Sequence, residues 1–170
     1  GSVSMDMFNQ ITNVGMSGFV ADIDQTSDGD YVVVCTVKDE NFPVTEGAFD
    51  DENTGTNPDI NQRDVALFHI SQDLETLKWA TFFGGNSFNY GFALEIDVFD
   101  NIYIGGVATN NSLTTTPGAW RQSTDFSQNS YSGFISKFSP TGSLIASTAV
   151  GFPIDFETIF PNGLAAEVIR

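Results

Sequence analysis

Asp24, Asp28 and Asp30 fall in one short stretch, in the order Asp24-Gln25-Thr26-Ser27-Asp28-Gly29-Asp30. Oxygen-bearing side chains at alternate positions, then a glycine for a sharp turn, are how a calcium loop begins. Calcium is therefore the one cofactor for which the chain offers candidate ligands. The pattern does not complete itself. Position twelve of such a loop falls on Cys35, which cannot act as the bidentate acid. A hairpin turn with solvated acids is the simpler expectation, and it requires no cofactor. Asp50-Asp51-Glu52-Asn53, with Asp59 behind it, forms a second acidic cluster. A loop this polar is expected to be solvated rather than to hold a metal.

Nucleophilic and acid–base chemistry have less to work with. The chain has one Cys, Cys35, and one His, His69. A lone Cys forms no internal disulfide. Cys35 sits in the apolar run Tyr31-Val32-Val33-Val34-Cys35, where a small buried hydrophobe is expected. Without a second His or Cys the usual zinc ligand sets cannot be assembled. There is no Gly-x-Ser-x-Gly elbow and no phosphate-cradling loop. Among 22 Asp and Glu residues, some pair will meet the roughly 5–9 Å spacing of glycoside hydrolysis by chance, and no feature selects one. No catalytic residue is assigned, a non-enzymatic role is expected, and a glycoside hydrolase is the least favoured alternative. Trp79 and Trp120 could stack on a sugar, as in a lectin. Both lie at landmarks of an internal repeat, so packing is expected of them first. Asn110-Asn111-Ser112 fits a glycosylation acceptor.

Charge narrows the partners. The 170 residues carry 6 Lys+Arg against 22 Asp+Glu, a net charge of −16. Phosphate binding needs clustered basic residues, so nucleic acid is not an expected partner. An electrostatic hold on anionic lipid is disfavoured for the same reason. No apolar run approaches the roughly 20 residues of a membrane span. The first residues, Gly1-Ser2-Val3-Ser4, lack the basic and apolar regions of a signal peptide. Aromatic and β-branched residues are too abundant for a disordered acidic chain.

The elements that position these residues repeat. Phe42-Pro43-Val44-Thr45-Glu46-Gly47-Ala48-Phe49 returns as Thr114-Thr115-Thr116-Pro117-Gly118-Ala119-Trp120, and Gly47 to Gly118 is a shift of 71. Asp28-Gly29-Asp30-Tyr31-Val32 aligns with Asp100-Asn101-Ile102-Tyr103-Ile104 at a shift of 72. Ala66–Ser71 aligns with Phe134–Ser139 at 68, and Thr81–Gly84 with Thr148–Gly151 at 67. Asn89–Ile96 finds a further partner in Asn162–Ile169. Each copy has four strand-like runs rich in Val, Ile, Phe and Tyr and bounded by Gly, Asp, Asn and Pro. They are Met16–Asp24, Asp30–Val37, Arg63–Ser71 and Thr76–Phe83, then Tyr90–Asp97, Asn101–Thr109, Tyr131–Ser139 and Ser143–Val150. Phe19, Ala21 and Ile23 alternate with Asp22 and Asp24, which predicts one apolar face for the first run. Phe49 and Trp120 are expected to plug their returning loops into the core. Gly142 finds no clear partner in the first copy.

Four antiparallel strands repeated every 70 or so residues predict an all-β fold of β-propeller blades. At 71 residues per repeat the 170 residues hold about 2.4 blades, while propellers have about four to eight. The expectation is a fragment of a larger propeller. Residues 1–15 are a lead-in or the end of a preceding blade, 16–85 the first blade, 86–152 the second, and 153–170 the start of a truncated third.

The second copy carries Ile102-Tyr103-Ile104-Gly105-Gly106, Thr115-Thr116-Pro117-Gly118-Ala119-Trp120, Gly133-Phe134-Ile135-Ser136-Lys137-Phe138 and Ser139-Pro140-Thr141-Gly142-Ser143. In these motifs the chain, from about Gly15 to Phe152, resembles the bacterial β-propeller repeat family known as SBBP. The first copy departs from the pattern at Glu46 and in the strand Asp64–Ile70. The resemblance implies a secreted or outer-surface bacterial protein, sometimes exported by the type IX route. It carries no catalytic residues over. The expected role is a scaffold or protein-interaction module, alone or within a surface, export or motility assembly. Binding would run through the loops Asp50–Gln62 and Arg121–Ser130. A carbohydrate-binding propeller is the alternative.

Overall fold

The computed structural model describes residues 18–38, 42–52, 63–85, 87–109, 113–121 and 130–155. Eight strands run through them: β1 (Phe19–Gln25), β2 (Tyr31–Val37), β3 (Asp64–Ile70), β4 (Leu77–Phe83), β5 (Asn89–Ile96), β6 (Ile102–Thr109), β7 (Ser130–Phe138) and β8 (Leu144–Asp155). They form two four-stranded antiparallel sheets, β1-β2-β3-β4 and β5-β6-β7-β8, each a simple meander. Among the described residues no helix is long and apolar enough to cross a membrane. The expected strand ends agree to within a residue, except that β1 begins at Phe19 and β8 runs on to Asp155.

The repeat is written in identical hydrogen bonds. Thr45 N donates to Ala80 O at 3.1 Å, and Thr116 N to Ser147 O at 3.1 Å. Asp50 N donates to Thr81 Oγ1, and Arg121 N to Thr148 Oγ1. The β1–β2 turn closes with Thr26 N to Asp30 O, and the β5–β6 turn with Asp97 N to Asn101 O. These pairs set the first hairpin's shift at 71, one less than the sequence alignment places it (Thr26 to Asp97, Asp30 to Asn101). The alignment by residue type matched Asp28 to Asp100. The turn geometry matches Gly29 (φ 92°) to Asp100 (φ 60°), because the backbone needs a left-handed residue there and Asp tolerates it. Gly142 likewise has a partner. Its turn repeats the one at Leu74, with Gly142 N bonded to Ser139 O as Leu74 N is to Ser71 O.

The sheets stack front to back. The front of the first sheet presents Val32, Val34, Val65, Leu67 and Phe83. The back of the second presents Leu94, Ile102, Ile104, Ala108, Phe134, Phe138 and Ala149, and the two sets make one core. Burying each large side chain contributes roughly 1.5–3 kcal/mol. Gly91 marks the close approach, where an added Cβ would lie 2.7 Å from Val34 Cγ2. The back of the first sheet, with Cys35, Val37, Ala66, Ala80 and Phe82, packs under Phe42 and Val44 of the β2–β3 connection.

The apolar face expected for β1 is broken. Its pairing with β2 shifts register between Val20 and Asp22, so Ala21 is a bulge residue. Val20 and Ile23 are left mostly exposed. Asp22 and Asp24 instead reach the second sheet, where their Oδ2 atoms accept from Leu94 N and Ile96 N at 2.9 Å.

Candidate functional site

The β1–β2 turn, the end of β3 and the start of β4 meet at one corner of the first sheet. Asp30 closes the turn and is 94% buried, its exposure being 6%. Its Oδ1 accepts from Gln72 N at 2.9 Å, which ties it to the β3–β4 turn. His69 lies on β3 beside Val32 and Trp79, and the Trp79 ring meets it edge-on at 5.8 Å. His69 Nε2 faces Asp30 Oδ2 at 3.2 Å. The β3–β4 pairing shifts register between His69 and Ile70, so Lys78 is the extra residue of a bulge. Its ammonium contacts Asp30 Oδ2 and lies 3.6 Å from Asp28 Oδ2. Asp28 Oδ1 accepts from Thr26 Oγ1 at 2.5 Å. Asp28, Asp30 and His69 each offer one ligand atom, and the three lie within 4.8 Å of one another.

Burial holds the His69 imidazole below its ordinary value, while the Asp28 and Asp100 carboxylates pull it upward. The Thr26 hydroxyl lowers Asp28. His69 is thus a neutral nitrogen donor near neutral pH, beside two carboxylates.

The structure separates the three calcium candidates. Asp24 does not join Asp28 and Asp30, because its carboxylate is bonded to Gln25 N and Ile96 N. Beside Asp28 and Asp30 stands His69, 39 residues beyond Asp30 in the chain. In the sequence His69 has no second His or Cys to join it. A strand pairing, Val32 with His69, brings it to the acids instead. Cys35 lies on the back of the sheet, its Sγ 3.4 Å from Ala66 O, and burial pushes its thiol up to about 12. The second sheet does not repeat the cluster. Asn101 stands at the place of Asp30, and Lys137 at that of His69, 3.9 Å from Asp97 Oδ2.

The front of the second sheet is the other distinctive surface. A groove of about 570 Å³ runs along Tyr103, Trp120, Ile135, Lys137, Ile145 and Thr148. Trp120 is 78% exposed, against the expectation that it plugs a core. The reason lies in its counterpart. Phe49 reaches past Phe83 (6.3 Å) to Phe138 of the second sheet (6.1 Å). No described element stands in front of the second sheet to receive Trp120, which lies under Arg121 at 5.8 Å. Trp79 does pack as expected, its Nε1 donating to Pro140 O at 2.9 Å.

Several candidates lie outside the described residues: Asn53 and Asp59 of the acidic cluster, Asn110-Asn111-Ser112, the lead-in 1–15, most of both candidate binding loops, and the third-copy segment Asn162–Ile169. The chain matches no protein-family model, and no curated protein matches it.

Proposed function

We propose that the chain is a stretch of β-propeller, a non-enzymatic scaffold that serves protein–protein interaction on a secreted or outer-surface bacterial protein. The observation that carries this reading is the front-to-back stack. The front of one sheet is covered by the back of the next, and the equivalent front of the second sheet is apolar and has no described element over it. A head-to-tail contact of this kind uses different surfaces on its two sides, so it repeats in one direction, and a propeller is the ring it forms where the rotation closes. A further four-stranded repeat is the occupant that fits the groove. The resemblance to the SBBP repeats supports both the propeller and the extracellular setting. The acidic surface supports solubility and basic protein partners.

Exposed Trp120 beside Thr148 and Lys137 also favours a second reading, a sugar-binding groove. Phe49 weighs for stacking, since the same position in the first repeat is filled by protein. One experiment separates the two. The chain is extended by one further repeat and Trp120 exposure is read by acrylamide quenching, with Trp120→Phe to isolate its signal. The propeller reading expects Trp120 to become shielded and the melting temperature to rise. Continued quenching, with glycan binding that is lost in Trp120→Phe, overturns it in favour of the lectin.

A further inference from the structure

The corner cluster has the makings of a metal centre, independent of how many sheets stack in the complete protein. Three observations converge there. The first is the donor set. Two carboxylates and one imidazole nitrogen suit a borderline transition metal, whereas calcium and magnesium take oxygen throughout. The second is unmet bonding. His69 Nε2 is buried and makes no hydrogen bond, and Asp30 Oδ2, which it faces, is met by the Lys78 ammonium alone. Buried polar atoms are normally satisfied, and a buried ring nitrogen aimed at two carboxylates without a hydrogen bond leaves room for a ligand. The third is the set of outer contacts. Each carboxylate has one oxygen committed elsewhere, Asp30 to Gln72 N and Asp28 to Thr26 Oγ1, and the other turned to the cluster. Outer bonds of this kind fix ligands for a metal.

The distances agree. Tetrahedral zinc with bonds of about 2.0–2.1 Å has ligand-to-ligand edges of roughly 3.3 Å. The Asp30–His69 edge is already 3.2 Å. Asp28 is on an exposed turn, its side chain 62% accessible, and closes the remaining distance by rotation. Its open side leaves the fourth position to water. Lys78 lies on both carboxylates, so the corner already selects a cation. Its side chain is 40% accessible and has a path to solvent.

We infer that Asp28, Asp30 and His69 form a site for one divalent transition metal ion of the zinc type, and that Lys78 is the tethered cation this ion displaces. The second sheet, with Asn101 and Lys137 at the matching places, carries no such site.

The test uses the whole chain, zinc chloride and calcium chloride, at pH 7.5. His69 is the only histidine, so its ring proton NMR signals report ligation directly. Zinc is expected to shift them with one-to-one stoichiometry and to raise the melting temperature, while millimolar calcium leaves both unchanged. His69→Gln is expected to weaken zinc at least tenfold, and Asp28→Asn several-fold. Lys78→Met is expected to tighten zinc several-fold, since it removes the competitor and leaves the ligands in place. Zinc bound equally well by His69→Gln overturns the inference, and so does an imidazole spectrum that zinc does not move. If Asp30→Asn fails to fold, the His69 and Lys78 variants still decide the matter. Equal affinity in Lys78→Met also counts against the displacement.

Discussion

Cys35 is the chain's only thiol, and burial pushes its pKa from 9.0 up to about 12. The folded protein therefore keeps it as an inert thiol at pH 8. A thiol reagent is expected to leave it unlabelled in the native state and to label it on unfolding. Fast native labelling would mean that the first sheet opens locally. The sign for stability follows from the direction. The raised value favours the protonated thiol, so its contribution is complete below pH 9 and is lost as pH rises toward about 12. Gly142 is the second instructive residue. It has φ 80°, and a Cβ there would meet the Trp79 ring at 2.9 Å. Gly142→Ala is expected to destabilise by about 1–3 kcal/mol in urea unfolding. Leu74 occupies the equivalent turn at φ 63°, is about half exposed, and meets no such constraint. A silent Gly142→Ala would show that Trp79 yields freely. Residue type made Cys35 legible in the sequence, because an apolar run dictates burial. His69 was not legible, because its partners come through strand pairing and its own neighbours in sequence are apolar.

Between elements, the seam of the two sheets depends on β1. Asp22 and Asp24 give their Oδ2 atoms to Leu94 N and Ile96 N, each a separation of 72 residues. Those N–H groups belong to β5, the edge strand of the second sheet, and they have no ladder partner on that side. Asp22→Ala or Asp24→Ala leaves a part-buried donor unmet, and each is expected to cost about 1–3 kcal/mol. The Asn variants keep an acceptor and are expected to cost less. Urea unfolding by tryptophan fluorescence checks both. Alanine variants as stable as the Asn variants would remove the latch from the account. Alternation along Phe19–Asp24 was plain in the sequence, and so was the run of acids. Their destination was not, because the bulge at Ala21 turns the acids to the neighbouring sheet. A bulge has no strong signature in residue type, and it depends on how the neighbouring strand registers. The repeat itself was legible because turns and loop anchors are local. Gly47 and Gly118 share φ near 80°, and Thr45 and Thr116 make the same bonds.

At the scale of the molecule, stacking front to back leaves one front uncovered among the described residues. The sheet number and strand order could be read from periodicity. The exposure of Trp120 could not, because it depends on what stands in front of the second sheet rather than on Trp120's own neighbours. That dependence makes Phe49 and Trp120 a matched pair, at one repeat position in two surroundings. Phe49→Lys breaks the contacts with Phe83 and Phe138 and is expected to cost about 1–2 kcal/mol. Trp120→Lys with Ile135→Lys changes only exposed surface and is expected to stay within about 0.5 kcal/mol of the parent chain. The same double change is expected to reduce dye binding and self-association at high concentration, since it breaks the exposed apolar surface of the groove. In a longer chain bearing a further repeat the difference vanishes, and Trp120→Lys becomes as costly as Phe49→Lys. Chemical denaturation of the four proteins reads this directly. If the Trp120 and Ile135 changes are equally harmless with and without the added repeat, the bare front is not a stacking surface. The groove would then belong to a ligand that binds in solution, and the glycan measurement becomes the decisive one.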